Sequence, residues 1–182
     1  SGGCSRQPKP EREAVQRYEW DCPGDLLHMD TKRYARFERP GHALTGDRSV
    51  VSRGAGYEYS HAIVDDHSRL AYAEILDSQG AAAVLAFTKR ALAFFESHGI
   101  TVKRLMTDNA WAYTRSLKFE RLLGSRRIEH MRIKPRRPQT NGKVERFHQT
   151  MAREWAYGLA YRTSGHRRQA LPHWLRYYNE RR

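Results

Sequence analysis

The chain has 182 residues, 39% of them hydrophobic and 29% charged, enough apolar material for one packed domain and too balanced for wholesale disorder. Its 33 lysines and arginines outnumber 20 acids, giving a formal net charge of +13, which points to a polyanionic partner, with nucleic acid ahead of a membrane surface. The longest apolar run, Ala81 to Phe87, is far too short to span a bilayer. Two cysteines, Cys4 and Cys22, supply neither a disulfide framework nor a four-ligand zinc site. No membrane association is expected, and a reducing cytoplasm is the expected setting. The opening Ser1-Gly2-Gly3 lacks a methionine and the close falls inside a basic run, so a fragment of a longer protein is expected.

Residues 1–22 are polar and proline-rich, with a helix-compatible stretch from Glu11 to Trp20, and read as an arm or linker. Pro23-Gly24 then punctuates the start of a first strand over Leu26 to Lys32, which carries Asp30. A turn-rich excursion follows over residues 38–56. Tyr57 to Val64 and Leu70 to Leu76 are strand-prone and joined through Asp65-Asp66-His67-Ser68-Arg69, the pattern of a hairpin. Gln79 to His98 has helical apolar spacing with Gly99 placed to end it. Thr101 to Thr107 returns to strand. Helix over 116–124, a short strand over Arg127 to Ile133, a basic loop over Lys134 to Gly142 and two helices, Lys143 to Leu159 and Arg167 to Asn179, complete the order. The fold class is therefore mixed α/β, three strands with an antiparallel start followed by parallel crossovers.

Charge is concentrated at one end. Residues 1–120 carry 17 basic and 16 acidic side chains, whereas residues 121–182 carry 16 and 4. The cluster of Arg126, Arg127, Arg132, Lys134, Arg136, Arg137, Lys143 and Arg146 would repel itself without a polyanion to receive it. Its arginines suit bidentate phosphate contact.

Among the acids, three stand apart by position: Asp30 in the first strand, Asp108 directly after the fourth, and Glu145 in the first turn of a helix behind the basic loop. Acids flanked by apolar strand residues are costly to bury alone, so each should lie at a strand end, accept hydrogen bonds or meet a cation. Three carboxylates without a cysteine cluster make a hard oxygen site suited to Mg²⁺ or Mn²⁺. Beside a basic surface, that site suggests phosphoryl transfer with a pair of divalent ions, for which Asp30 is the expected bridge.

His28-Met29-Asp30-Thr31-Lys32, Ile63 to Arg69, Thr107-Asp108-Asn109 and Pro138 to Phe147 together resemble the integrase core of bacterial insertion-sequence DDE transposases, relatives of retroviral integrases. Trp155-Ala156-Tyr157 and Leu175 to Arg182 extend the likeness. The resemblance implies a ribonuclease-H-like five-stranded sheet flanked by helices over residues 23–182. It places the catalytic and metal-binding triad on Asp30, Asp108 and Glu145, the last two separated by 36 residues. It also implies metal-dependent cleavage and strand transfer at transposon ends, with DNA as partner and a homo-oligomer as the active form. A bacterial cytoplasm with action at the nucleoid, and a helix-turn-helix region preceding this chain, follow from the same likeness. The expected DNA contacts are Arg136, Arg137, Asn141, Lys143 and Arg146. The chain departs from the pattern where glycine often follows the Asp-Asn pair, having Ala110 and bulky Trp111 instead.

Rival readings attach to several side chains. Asp65 and Asp66 are expected to serve a hairpin turn rather than a metal. His28 is expected to pack beside the triad, and His148, one turn after Glu145, to lie at the surface. Trp20, Trp155 and Trp174 suit a core or interface, whereas Trp111 suits a core or a base-stacking platform equally. A catalytically inactive DNA-binding module and a structure-selective nuclease on the same fold are the alternatives to a transposase.

Overall fold

A computed structural model describes residues 19–39, 55–133 and 142–181. Most of the helix-compatible stretch 11–20, most of the turn-rich excursion 38–56, and the basic loop with Arg136, Arg137 and Asn141 lie outside them.

Among the described residues, five strands form one sheet in the order β3-β2-β1-β4-β5. These are β1 (Leu27–Ala35), β2 (Tyr57–Asp65), β3 (Ala71–Leu76), β4 (Arg104–Thr107) and β5 (Glu129–Arg132). β1 pairs antiparallel with β2, and β2 with β3, while β4 runs parallel to both β1 and β5. This is the mixed sheet, antiparallel at its start with parallel crossovers after it, that the order of predicted elements implies, and it agrees with the ribonuclease-H-like arrangement that the resemblance implies. The helices are α1 (Ala81–Ser97), α2 (Trp111–Thr114), α3 (Leu117–Ser125), α4 (Gly142–Met151) and α5 (Ser164–Glu180).

Local chemistry sets the boundaries. Gly24 has φ +84, and a Cβ there would strike the Thr101 carbonyl, so glycine is required where the chain turns into β1. α1 buries Val84, Phe87, Thr88, Ala91, Leu92 and Phe95 along one stripe. It ends at Gly99, whose left-handed φ of 72 lets the next amide, that of Ile100, reach the Phe95 carbonyl at 3.0 Å. Ser116 and Thr163 cap α3 and α5 by accepting the amides of Phe119 and His166.

Two expectations shift, and one short helix goes unannounced. β4 begins at Arg104 rather than Thr101, because the Lys103 amide is taken by the Gly24 carbonyl of the turn at 2.8 Å. α2 is a single turn, too short for periodicity to announce. The helix expected to run from Lys143 to Leu159 is regular only to Met151 and widens into a π-helical turn over Ala152–Ala156, where buried Trp155 donates from Nε1 to the Arg167 carbonyl at 2.9 Å.

Strand alternation divides the sheet into two cores. Leu27, Met29, Ile63 and Leu105 face α1 and α3, whereas Tyr34, Ala62, Val64, Ala71, Ala73 and Ile75 face α4 and α5. Asp30 shares the alternation of His28 and Tyr34, so it points to the side that carries α4.

Candidate active site

The sheet register brings two of the predicted carboxylates near each other. His28 pairs with Met106 in the parallel ladder between β1 and β4. Two residues further along each chain stand Asp30, within β1, and Asp108, directly after the carboxyl end of β4. The paired part of the ladder brings the chain to Asp108 beside β1, near enough for the Asp108 charge to act on Asp30. Asp108 is half-buried, and its Oδ1 accepts the Ala110 amide at 2.9 Å. The residues around it are also tied down: Thr107 Oγ1 bonds His130 Nε2 at 2.8 Å, and Asn109 donates to the Ile133 carbonyl at 3.0 Å.

Glu145 comes from the exposed side of α4, whose buried stripe of Val144, Phe147, His148 and Met151 packs the helix against the sheet. Asp30 feels both of the other carboxylates. Burial pushes the Asp30 carboxyl up to about 6, and the neighbouring charges of Asp108 and Glu145 add to the rise. Among the described residues, no three His, Cys, Asp or Glu side chains are gathered tightly enough to enclose a metal ion. The donor set nevertheless fits a hard divalent cation: all ligand atoms would be carboxylate oxygens, and an ion would relieve the repulsion that raises Asp30.

His148 is buried, not at the surface as its sequence position suggests. Its Nε2 lies 3.6 Å from Asp30 Oδ2, and among the described residues neither ring nitrogen meets a hydrogen-bond partner. Burial, with help from the Lys32 charge, lowers its pKa to about 4, so the ring is neutral at ordinary pH. On the opposite face of β1, Thr31 Oγ1 bonds the Tyr113 hydroxyl at 3.1 Å, linking the Asp30 strand to α2.

A family model described as integrase core domain matches residues 21–138, and a second with the same description matches residues 126–182. The chain belongs to the integrase core domain family. A curated relative, ORF3 of Spiroplasma virus SpV1-C74, named as a candidate integrase, is 27% identical over 111 residues, covering 54% of this chain and 31% of that protein. The integrase core described here thus spans about a third of the curated relative it matches. Among solved structures, a chain of the simian T-cell lymphotropic virus intasome bound to the PP2A regulatory subunit B56 gamma has a TM-score of 0.56 at 20% identity, covering 81% of this chain and 44% of that one. The dimeric HTLV-2 integrase catalytic core in complex with magnesium has a TM-score of 0.53 at 16% identity, covering 74% and 71%. These likenesses establish the ribonuclease-H-like fold.

Within this integrase core the remaining predicted residues separate. Arg146 is exposed on α4 beside Glu145. Lys143, expected on DNA, is instead engaged inside the protein: its Nζ lies 2.7 Å from Asp66 Oδ2 and 2.7 Å from the Asp66 carbonyl. Asp65 is the turn residue that the hairpin implies, accepting the amides of Gly24 at 2.8 Å and Ser68 at 2.7 Å. Asp66 does more. Its carboxylate also accepts His28 Nε2 at 2.8 Å and the Trp20 amide at 2.9 Å. Burial opposes its charge, but His28 and Lys143 outweigh burial and hold it well below the usual carboxylate range. Trp155 and Trp174 are buried as expected. Trp20 lies under the Arg104 guanidinium, and Trp111 is 71% exposed with Arg115 stacked 4.0 Å from its ring centre. No pattern in the sequence marks the contacts of Asp66 or the burial of His148, because each joins segments far apart in the chain.

Proposed function

We propose that this integrase core is the catalytic part of a DDE transposase, cutting DNA at transposon ends and joining the freed ends to target DNA. The observation that supports the reading is that the charges of Asp108, directly after the strand parallel to β1, and of Glu145, on α4, both act on the Asp30 carboxyl of β1. Asp30, Asp108 and Glu145 would hold a pair of Mg²⁺ or Mn²⁺ ions. When bound, such ions supply the positive charge that activates an attacking oxygen and stabilises a leaving one.

The chain's own residues do the rest. In the first step the oxygen of a water attacks an end phosphorus, the phosphodiester bond to the 3′ oxygen breaks, and that oxygen leaves as a 3′-hydroxyl. In the second step this hydroxyl attacks a target phosphorus and displaces a target 3′ oxygen, so bonds are exchanged without a protein–DNA covalent link. Arg146, exposed beside Glu145, is placed to neutralise a phosphate, Arg136 and Arg137 extend that role along the preceding segment, and Asn141 can hydrogen-bond a phosphate or base. Trp111 and Arg115, stacked beside the Asp108 turn, offer a flat cationic surface for a base or sugar. Two copies acting on paired ends would account for a homo-oligomeric active form.

The test is nicking and joining of labelled DNA ends with Mg²⁺ or Mn²⁺, using the full-length protein. Metal-dependent release of a 3′ end followed by joined product supports the reading. Nicking at branched DNA without joining would favour a structure-selective nuclease, and binding without turnover an inactive module.

A further inference from the structure

A densely bonded polar side chain near the site belongs to a residue outside the triad. Asp66 sits at the tip of the hairpin between β2 and β3 and is 2% exposed. Its carboxylate accepts from Trp20, His28 and Lys143. Its carbonyl accepts from Lys143 and Arg69, and its amide donates to the Leu26 carbonyl at 2.9 Å. The turn does not need this, since Asp65 already accepts the turn amides of Gly24 and Ser68.

Two of these partners lead to the triad. His28 precedes Asp30 by two residues and so shares its face of β1. Lys143 precedes Glu145 by two residues in the first turn of α4. We infer that Asp66 is a positioning residue, a strut through His28 and Lys143 that fixes the helix bearing Glu145 against the strand bearing Asp30, and that Lys143 acts within this strut rather than on DNA. This rests on the reading of the triad above and adds the means by which its third member is placed.

Helix physics supports the assignment. A cation in the first turn opposes the helix dipole, so Lys143 is poorly placed there unless an anion meets it, and buried Asp66 is that anion. The first turn also has the fewest backbone hydrogen bonds to hold it. Two residues of helix rotate by about 200°, so Lys143 grips α4 from the side opposite Glu145 and limits how far the glutamate can swing from Asp30. Glu19 closes the assembly, with its Oε1 3.7 Å from Lys143 Nζ and 2.8 Å from Arg69.

The experiment compares Lys143→Met, Lys143→Arg, Asp66→Asn and Arg146→Gln with the wild type. Three quantities are measured: Mn²⁺ affinity by electron paramagnetic resonance of the free ion, amide hydrogen exchange over residues 144–148, and the salt dependence of DNA binding. Lys143→Met should weaken Mn²⁺ binding by roughly tenfold, the lower end for loss of a group that orients a ligand, and should speed exchange over 144–148. It should leave the log–log salt slope at the wild-type value. Lys143→Arg should restore both metal affinity and protection, and Asp66→Asn should reproduce the Lys143→Met result. If Asp66→Asn fails to fold, Lys143→Met and its arginine rescue carry the test alone. Arg146→Gln should flatten the slope by roughly 0.9 without changing exchange over 144–148. The strut is overturned if Lys143→Met flattens the slope with metal binding and exchange unchanged, which would make Lys143 a phosphate contact. It is equally overturned if Lys143→Met alters none of the three. Glu145→Gln separates the two readings: unchanged Mn²⁺ binding and turnover in that variant would remove Glu145 from the triad, while hydrogen exchange would still decide whether Asp66 and Lys143 hold the helix.

Discussion

Beneath the sheet, Leu27, Met29, Ile63 and Leu105 pack against Phe87, Leu92 and Phe95 of α1 and Phe119 and Leu123 of α3. Above it, α4 and α5 are also packed through apolar groups, Phe147, Trp155 and Trp174 among them, but buried ion pairs run through that layer. Arg167, almost fully buried, donates to Glu58 at 2.8 Å and to the Ala35 carbonyl at 2.7 Å, and Lys143 meets Asp66 at the other end. Apolar burial is non-directional, whereas a charge pair in a dry layer tolerates little displacement. Asp30 therefore owes its place to strand pairing over an apolar bed, Asp108 follows the end of a strand in the same sheet, and Glu145 owes its place to a helix held by specific polar contacts. The strand half of the site is built into the fold, and the helix half is adjusted onto it.

The largest effect should come from the strand half. Asp30→Asn or Asp108→Asn should reduce cleavage and joining to assay background while preserving the circular dichroism spectrum and DNA affinity, because the amide keeps the shape but loses the charge that would hold a divalent ion. Substantial turnover in either variant would return these acids to a structural role.

Next in size is the polar layer itself. Arg167→Met should cost about 3 kcal/mol, since it removes the buried partner of the Glu58 carboxylate and leaves it the longer 3.4 Å contact from Arg168. Adding Glu58→Gln should recover part of that loss. On the apolar side Phe95→Ala should cost about 3–5 kcal/mol through its cavity, but no second substitution of polarity should rescue it. Urea unfolding of the four proteins checks both statements, and equal non-rescue on the two faces would erase the contrast drawn between them.

Titration offers a subtler test, because Asp30 and His148 are in contact and pull in opposite directions. The Asp30 carboxyl rises from 3.8 to about 6 in the folded protein. The folded state then binds the extra proton between those values, so Asp30 lowers stability as pH rises through that window. His148 falls from 6.5 to about 4. There the unfolded state binds the extra proton, and stability is lost as pH falls from 6.5 toward 4. The two contributions oppose each other over pH 4–6. Without divalent ions, Asp30→Asn should make the protein more stable near pH 7, by up to about 3 kcal/mol, and more sensitive to acid. His148→Asn should instead gain stability relative to wild type as pH falls. Melting temperatures at half-unit steps decide this, and parallel profiles for all three proteins would refute it.

The same division explains what the sequence discloses. The order of elements along the chain, the long amphipathic α1 and the glycine that ends it are written in periodicity and turn residues, and Asp30 and Asp108 declare themselves as acids within and just after apolar strands. Glu145 is legible as an acid behind a basic, proline-containing segment. The polar layer is not. Asp66 looks like any aspartate in a turn, Lys143 like any cation in a basic cluster, and His148 like a surface histidine on a polar helix, until tertiary contact brings residues 28, 66 and 143 together. The single-turn α2 and the widened turn around Trp155 escape for a simpler reason: neither is long enough to impose a period.

The smallest expected effect concerns the charged surface, and it sharpens the comparison because the two cations flanking Glu145 should behave differently. Arg146 is exposed, so neutralising a phosphate there would release condensed counterions, and its loss should flatten the salt dependence of DNA binding. Replacing Arg136, Arg137 and Arg146 together by alanine should lower the magnitude of the log–log slope by roughly 0.9 for each duplex phosphate left without its cation. Specific and unrelated sequences should lose affinity alike, because phosphate contacts position a protein without reading bases. Adding Lys143→Met should leave the slope where the triple variant set it, since the Lys143 charge is already neutralised by Asp66. Folding stability should move little in the triple variant, as exposed charges contribute weakly. Titrations at several salt concentrations separate the cases: lines parallel to wild type for the triple variant would take DNA away from this surface, and a further drop on adding Lys143→Met would return that lysine to it.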